Sequence, residues 1–294
     1  MGTGAPVQQN RIIYLRLETR TKRDNHGQSR TQCCRHLSER GAERRMEQRK
    51  REATADRMII DIHSHVIWGV DDGAETREQT FQMLRAAADD GIRKIICTPH
   101  ITPGVYEFPE ERFQEHLEIS KEYIRQEGLP LRLTRGAELL YTELTARLLR
   151  EGKAPTLEES RCPLIEFSPS DSWTHILSAV QAVSRAGFTP VIAHIERYPA
   201  IRTVEQVRLL KTSCFAYLQV NARTLTRKQP LLRRRYFDHL FQEKLVDFIA
   251  TDTHAMPGRG TCMQEGMAAL EQKYGEICAG HIRRQTYELF GGIL

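Results

Sequence analysis

From Met58 onward the sequence predicts a parallel α/β fold closed, or nearly closed, into a barrel. Three observations carry the prediction. Short apolar strands alternate with longer amphipathic helices, the pattern of strand-helix-strand units and hence of a parallel sheet. About seven such units follow one another without the glycine signature of a dinucleotide-binding sheet. Nearly every strand also ends in His, Glu or Asp, as expected of a barrel whose chemistry sits at the C-terminal strand ends.

The expected strands are residues 59–64, 94–98, 131–138, 163–168, 190–194, 216–220 and 246–252. The first helix, 76–90, opens on Thr76 followed by Gln79, the spacing of a capping box, and stops at Gly91. Residues 110–126 form a second helix ended by Gly128, and 172–186 another ended by Gly187. Residues 204–212 and 231–244 complete the set.

Composition restricts the function classes. The 294 residues are 40% hydrophobic and 28% charged, as in a soluble globular protein. No apolar run approaches the roughly 20 residues that span a bilayer, and no secretory apolar core is present, so the default location is the cytoplasm and no membrane insertion is expected. The seven cysteines are odd in number and lack C-x-x-C spacing, which disfavours both a disulfide framework and a cysteine zinc site.

The net charge of +5 belongs to the leading segment. Residues 1–57 carry 14 basic and 7 acidic side chains, leaving 29 basic and 31 acidic for 58–294. The first 57 residues therefore read as a basic, disordered or loosely helical extension, or as sequence upstream of a start at Met58. Residues 58–294 form the folded domain, whose near-neutral balance does not favour nucleic acid as a partner.

The chain is organised around Asp61-Ile62-His63-Ser64-His65. On an extended chain, side chains two apart share a face, so His63 and His65 can hold one metal ion between them. The later strands end in Thr98-Pro99-His100, Gly136-Ala137-Glu138, Ile165-Glu166, Ala193-His194 and Thr251-Asp252-Thr253-His254. Burying so many imidazoles and carboxylates at strand ends is unfavourable unless they bind something, and a mixed His and carboxylate set accepts Mn, Fe or Zn. Cys34 with Arg40, and Cys278 with Arg284, have the C-x5-R spacing of thiol phosphatases. Neither stretch supplies a glycine-bearing phosphate loop, so that chemistry is set aside.

The same residues, with Val70-Asp71-Asp72-Gly73, Ile165-Glu166-Phe167-Ser168 and His194-Ile195-Glu196-Arg197-Tyr198, resemble the polymerase-and-histidinol-phosphatase (PHP) superfamily. Within it, the chain is most similar to the CpsB/YwqE-type manganese-dependent protein-tyrosine phosphatases of bacterial capsule and exopolysaccharide systems. The resemblance runs from Met58 to the C-terminus and implies a distorted (β/α)7 TIM-like barrel with three divalent ions, Mn by family expectation. It places His63, His65, Glu138 and Asp252 around one ion, with Glu138 bridging. His100, Glu166 and His194 take another, and His254 completes the cluster with one of Asp71 or Asp72, of which Asp72 is taken as the ligand. Arg197 and Arg259 are expected to grip the phosphate, a task that suits their planar forks.

The implied reaction is hydrolysis of phosphotyrosine in a protein by metal-activated hydroxide, with no covalent enzyme intermediate and with His254 able to assist the leaving group. The implied partner is the tyrosine-rich tail of a capsule-system tyrosine kinase. Trp68, Tyr106 and Phe108 lie in loops near the mouth, where they either stack on the aryl ring or pack. His36, His116, His175, His239 and His281 read as structural or solvated. The alternative activities are a small-molecule phosphomonoesterase of histidinol-phosphatase type and a metal-dependent nuclease; a non-catalytic, metal-holding scaffold is the alternative from another class.

Overall fold

The computed structural model describes residues 58–255 and 260–292. The basic extension with Cys34, His36 and Arg40, and also Arg259, lie outside the described residues. Strand β1 (Ile59–Ser64) is followed by α1 (Arg77–Asp89), β2 (Ile92–Cys97), β3 (His100–Ile101), α2 (Glu110–Glu127), β4 (Arg132–Arg135), β5 (Glu138–Leu140) and α3 (Thr145–Arg150). Next come β6 (Leu164–Glu166), α4 (Trp173–Arg185), β7 (Val191–Ile192), α5 (Val204–Cys214), β8 (Tyr217–Asn221), α6 (Ala222–Thr226), α7 (Leu231–Gln242), β9 (Phe248–Ala250), α8 (Met263–Tyr274) and α9 (Glu276–Phe290). All strand pairs are parallel, in a three-stranded sheet β1-β2-β4 and a six-stranded sheet β3-β5-β6-β7-β8-β9.

The expected single strand 131–138 is two strands, β4 and β5, and β3 was not anticipated. Both interruptions fall at the same level and have one cause. Pro99 has no amide to extend the β2 ladder. Opposite it Gly136 lies so close to β2 that a Cβ there would sit 2.7 Å from Ile96 Cγ2. Pairing continues across the break, with Gly136 N–H donating to Cys97 O at 2.9 Å and Glu138 N–H to Pro99 O at 3.0 Å. At the other edge, β1 meets the chain after β9 through a parallel bridge between Ser64 and Thr253. Asp252 N–H donates to His63 O and His65 N–H to Thr253 O, each at 2.8 Å. The strands are thus two parallel sheets that approach each other at this bridge, and a continuous ring of strand pairs is not shown among the described residues.

The helices follow their sequence signals. Thr76 and Gln79 form the reciprocal capping box of α1, and Thr203 with Gln206 makes the same box at α5. Gly128 closes α2 in the left-handed conformation with φ 62°. Helix α1 buries Met83, Leu84 and Ala87, and α4 buries Ile176, Val180 and Val183, each set at helical spacing. A second apolar cluster takes Ile60 and Ile62 from β1, Ile96 from β2, Leu164 from β6, Val191 from β7 and Phe248 from β9, and includes Phe290 of α9. The two C-terminal helices α8 and α9 were absent from the expected elements. Their polar faces dilute the apolar period, but α9 contributes buried Cys278, Ile282 and Phe290 to the core.

Candidate metal centre

Strand β1 delivers His63 and, one residue beyond its end, His65; both are fully buried, and their Nε2 atoms lie 3.2 Å apart. Glu138 opens β5 directly against them. Its Oε2 lies 3.0 Å from His63 Nε2, 3.2 Å from His65 Nε2 and 3.1 Å from His100 Nδ1. That oxygen is buried and, among the described residues, has no hydrogen-bond partner. A carboxylate oxygen surrounded by three imidazole nitrogens, with hydrogen-bond geometry to none, fits a divalent cation.

Three overlapping sets of donor atoms could each hold an ion: His63, His65 and Glu138; His100, Glu138 and Glu166; and His65, Asp72, His100 and His254. Within each set the donor atoms lie within 4.8 Å of one another. The two remaining candidates border these sets. His194 Nε2 is 2.8 Å from Glu138 Oε1 and 3.5 Å from Glu166 Oε1, and Asp252 Oδ1 is 3.7 Å from both His63 Nε2 and His65 Nε2. All nine side chains therefore converge on one cluster, where β1, β6, β7 and β9 end and the short strands β3 and β5 begin. His194 and Asp252 reach the cluster with backbone φ of 28° and 51°, a region that disfavours residues with a Cβ. Strain of this kind, of order 1–3 kcal/mol at each residue, persists where the surroundings demand the orientation.

The adjacent aspartates, inseparable by spacing, occupy different places. The Asp71 side chain is buried and its carboxylate accepts from His65 Nδ1 at 2.8 Å, His100 N–H at 3.1 Å and Gly73 N–H at 2.9 Å. Gly73 is required for this turn, since a Cβ would stand 2.2 Å from His65 O. Asp72 faces outward with Oδ1 3.4 Å from His100 Nε2 and 3.3 Å from His254 Nε2.

Residues that the sequence reading did not single out hold the imidazoles in place. Gln219 Oε1 lies 3.2 Å from His63 Nδ1 and accepts from His194 N–H at 2.7 Å. The Gln219 amide donates to Asn221 Oδ1, and the Asn221 amide donates to Asp252 Oδ2. The Tyr198 hydroxyl, anchored by Phe167 N–H, lies 3.2 Å from His194 Nδ1. For His63, His65 and His194, the outer ring nitrogen is thus engaged and Nε2 is left facing the cluster. The available signal was Gln219 and Asn221, two polar residues two apart on a strand otherwise apolar.

The cluster's charges compensate one another. Burial by itself lowers the His65 and His194 imidazole pKa values, but contacts with Asp71 and Glu138 bring His65 up to about 10, and Glu138 and Glu166 bring His194 up to about 9. Burial likewise opposes ionisation of Glu138, which the surrounding imidazoles outweigh, holding its carboxyl well below the usual carboxylate range. Asp252 is held low in the same way, against burial, by His63 and Arg197.

Arg197, on the turn after β7, forms an ion pair with Asp252. Trp68 stacks on His116 with ring centroids 3.8 Å apart, which assigns both to packing. Tyr106 and Phe108 instead border a cleft of about 320 Å³ that also contains Asp72 and His100. Cys97 is fully buried and its thiol is pushed up by burial, while Cys278 lies within α9, so neither has the environment of a nucleophilic thiolate.

A family model described as capsular polysaccharide synthesis, CpsB/CapC, matches residues 59–288. The chain is 35% identical over 227 residues to the tyrosine-protein phosphatase CpsB of Streptococcus pneumoniae, covering 74% of this chain and 91% of that one. It is 29% identical over 218 residues to the tyrosine-protein phosphatase YwqE of Bacillus subtilis (strain 168), covering 74% and 85%. A crystal structure from the pair YwqE of Bacillus subtilis and CpsB of Streptococcus pneumoniae, metal-dependent tyrosine phosphatases, superposes with TM-score 0.70 at 27% identity, covering 80% of this chain and 96% of that one. A histidinol phosphate phosphatase from Lactococcus lactis shares the fold, with TM-score 0.50 at 13% identity over 74% of this chain and 94% of that one.

Proposed function

The chain belongs to the CpsB/CapC family of capsular polysaccharide synthesis, and we propose that it is a metal-dependent protein-tyrosine phosphatase working at the cluster around Glu138. The observation that carries this reading is the buried Glu138 Oε2 among three imidazole nitrogens, a position that suits a cation. His63, His65, Asp72, His100, Glu138, Glu166, His194, Asp252 and His254 are the proposed ligands. Three ions are proposed, Mn first, with Fe or Zn accepted by the same donors. The proposed domain is 58–294, following a basic extension of 57 residues, and the family match beginning at residue 59 supports that boundary.

Bound divalent ions supply a lowered pKa for coordinated water and neutralise charge on phosphoryl oxygens. The protein's own part is orientation and electrostatics. Asp71, Gln219 and Tyr198 fix the imidazoles. Arg197 and Arg259 grip the phosphoryl oxygens as negative charge redistributes over them. The cleft bordered by Tyr106 and Phe108 receives the aryl ring beside Asp72 and His100. Phenolate leaves readily, so His254 needs only to assist proton transfer.

The proposed substrate is a phosphotyrosyl protein, in the first place the tyrosine-rich tail of a capsule-associated kinase. No described helix is long and apolar enough to cross a membrane. The unpaired Cys97, Cys162, Cys214, Cys262 and Cys278 support a reducing compartment, proposed as the cytoplasm. Phosphate release from a phosphotyrosyl peptide, histidinol phosphate and an oligonucleotide, with added manganese and after chelation, tests the activity. Metal-dependent turnover favouring the peptide is expected. Preference for histidinol phosphate, or turnover that survives complete chelation, would overturn the reading.

A further inference from the structure

We propose that the cleft beside Asp252 binds a second anionic group on the substrate chain, one that flanks the phosphotyrosine. This cleft, of about 520 Å³, shares no residue with the one bordered by Tyr106 and Phe108. It contains Arg197 and Asp252, and so opens directly from the metal centre. Beyond them its wall carries Arg223, Arg227, Lys228 and Arg233.

The charge of these side chains is not neutralised locally. Arg223 donates to the backbone carbonyl of Gly260 at 2.7 Å, and Arg233 to that of Glu196 at 2.5 Å. A neutral carbonyl positions a guanidinium without cancelling its charge. Arg227 and Lys228 are exposed, and among the described residues no carboxylate pairs with either. Of the two carboxylates in the cleft, Asp252 is paired with Arg197, while Glu196 is half-buried with Oε1 accepting from Asn221 N–H and Thr224 Oγ1, both at 2.9 Å. Five cations face two carboxylates, although residues 58–294 as a whole carry 29 basic and 31 acidic side chains. The excess is a local property of this cleft.

Such a wall recognises oxyanions through charge-assisted, forked contacts. A peptide advances about 3.3–3.6 Å per residue when extended, so a group within a few residues of the phosphotyrosine can reach a cleft that begins at the metal centre. Phosphoryl and carboxylate groups share the required chemistry. The proposal rests on the phosphatase reading and adds a determinant of substrate choice to it.

Three phosphotyrosyl peptides test it with the manganese-loaded full chain: one with neutral neighbours, one with Asp and Glu neighbours, and one with a neighbouring phosphoserine. Expected is a preference in kcat/KM of about ten-fold for either anionic peptide, expressed mainly in KM and shrinking as salt is raised. The relative order of the two anionic peptides identifies the source, phosphoryl or carboxylate. The preference is expected to collapse in the Arg227→Ala, Lys228→Ala double variant, whose two positions are exposed and whose fold circular dichroism checks directly. Equal kcat/KM for neutral and anionic peptides, or a preference unchanged in the variant, overturns the inference while leaving the phosphatase reading intact. Absence of metal-dependent turnover of all three peptides and of p-nitrophenyl phosphate overturns both.

Discussion

At the N-terminal ends of the strands a buried lysine and a buried aspartate each meet a dedicated partner. Lys94 Nζ pairs with Glu158 and donates to Phe290 O, both at 2.5 Å, and Asp247 is held by Lys211 at 2.6 Å and by Leu218 N–H at 2.9 Å. At the opposite end of the strands, carboxylates and imidazoles crowd one another, and among the described residues Glu138 Oε2 has no hydrogen-bond partner. Both ends place charge in a low-dielectric interior. One compensates it pairwise and gains a fixed structure; the other gathers a set of donor atoms that could hold a cation. The difference separates a stability site from a chemical one without reference to any relative.

The largest expected effect breaks the crowded end at its centre. Glu138→Ala should lower kcat on an aryl phosphate by about 10³-fold or more and reduce bound metal, measured together by turnover and elemental analysis. Full activity would remove Glu138 from the centre. Next comes the opposite end: Lys94→Met leaves Glu158 without its partner and should destabilise folding by about 3 kcal/mol in denaturant titrations. Its kcat for the folded fraction should match the parent, because Lys94 contacts none of the cluster. A large loss of kcat at unchanged stability would erase the distinction between the two ends.

A finer test divides Asp71 from Asp72. Asp71→Asn disturbs the acceptor for His65 Nδ1 and should weaken metal affinity about 10- to 100-fold, by titration against a competing chelator. That loss should appear as a higher metal requirement, with kcat largely recovered at saturating metal. Recovery would identify Asp71 as a positioning residue, whereas a kcat loss that saturation does not relieve would make it a ligand.

What was legible in the sequence were the features set by local chemistry. The capping box at Thr76 and the stop at Gly128 depend on a few adjacent residues. The His and carboxylate residues at strand ends stood out because burial of such groups is unfavourable without a partner. The division of 131–138 into two strands was not legible, because it depends on Ile96 approaching Gly136 from another strand. Asp71 and Asp72 could not be distinguished for a similar reason: their difference lies in which one turns beneath His65. Gln219 and Asn221 escaped notice since neither is a strong metal donor, and their role exists only where β8 passes beside β7 and the segment after β9.

The smallest expected effect concerns pH, and it compares the metal-free and loaded forms of the crowded end. In the metal-free protein, protons on His65 and His194 supply positive charge among the carboxylates, with folded-state values raised to about 10 and about 9. A histidine whose value is raised on folding contributes stability that is fully present below its unfolded value, near 6.5, and lost as pH rises through the folded one. The metal-free protein should therefore lose stability between about pH 7 and 10. Glu138 and Asp252, held below their ordinary values, contribute in the opposite sense, their share disappearing only in strong acid. Metal must displace the imidazole protons, so loading should strengthen as pH rises and offset the alkaline loss. Thermal melts from pH 6 to 10 with and without manganese would show the two curves diverging toward high pH, and parallel curves would mean that protons and cations do not compete for these nitrogens.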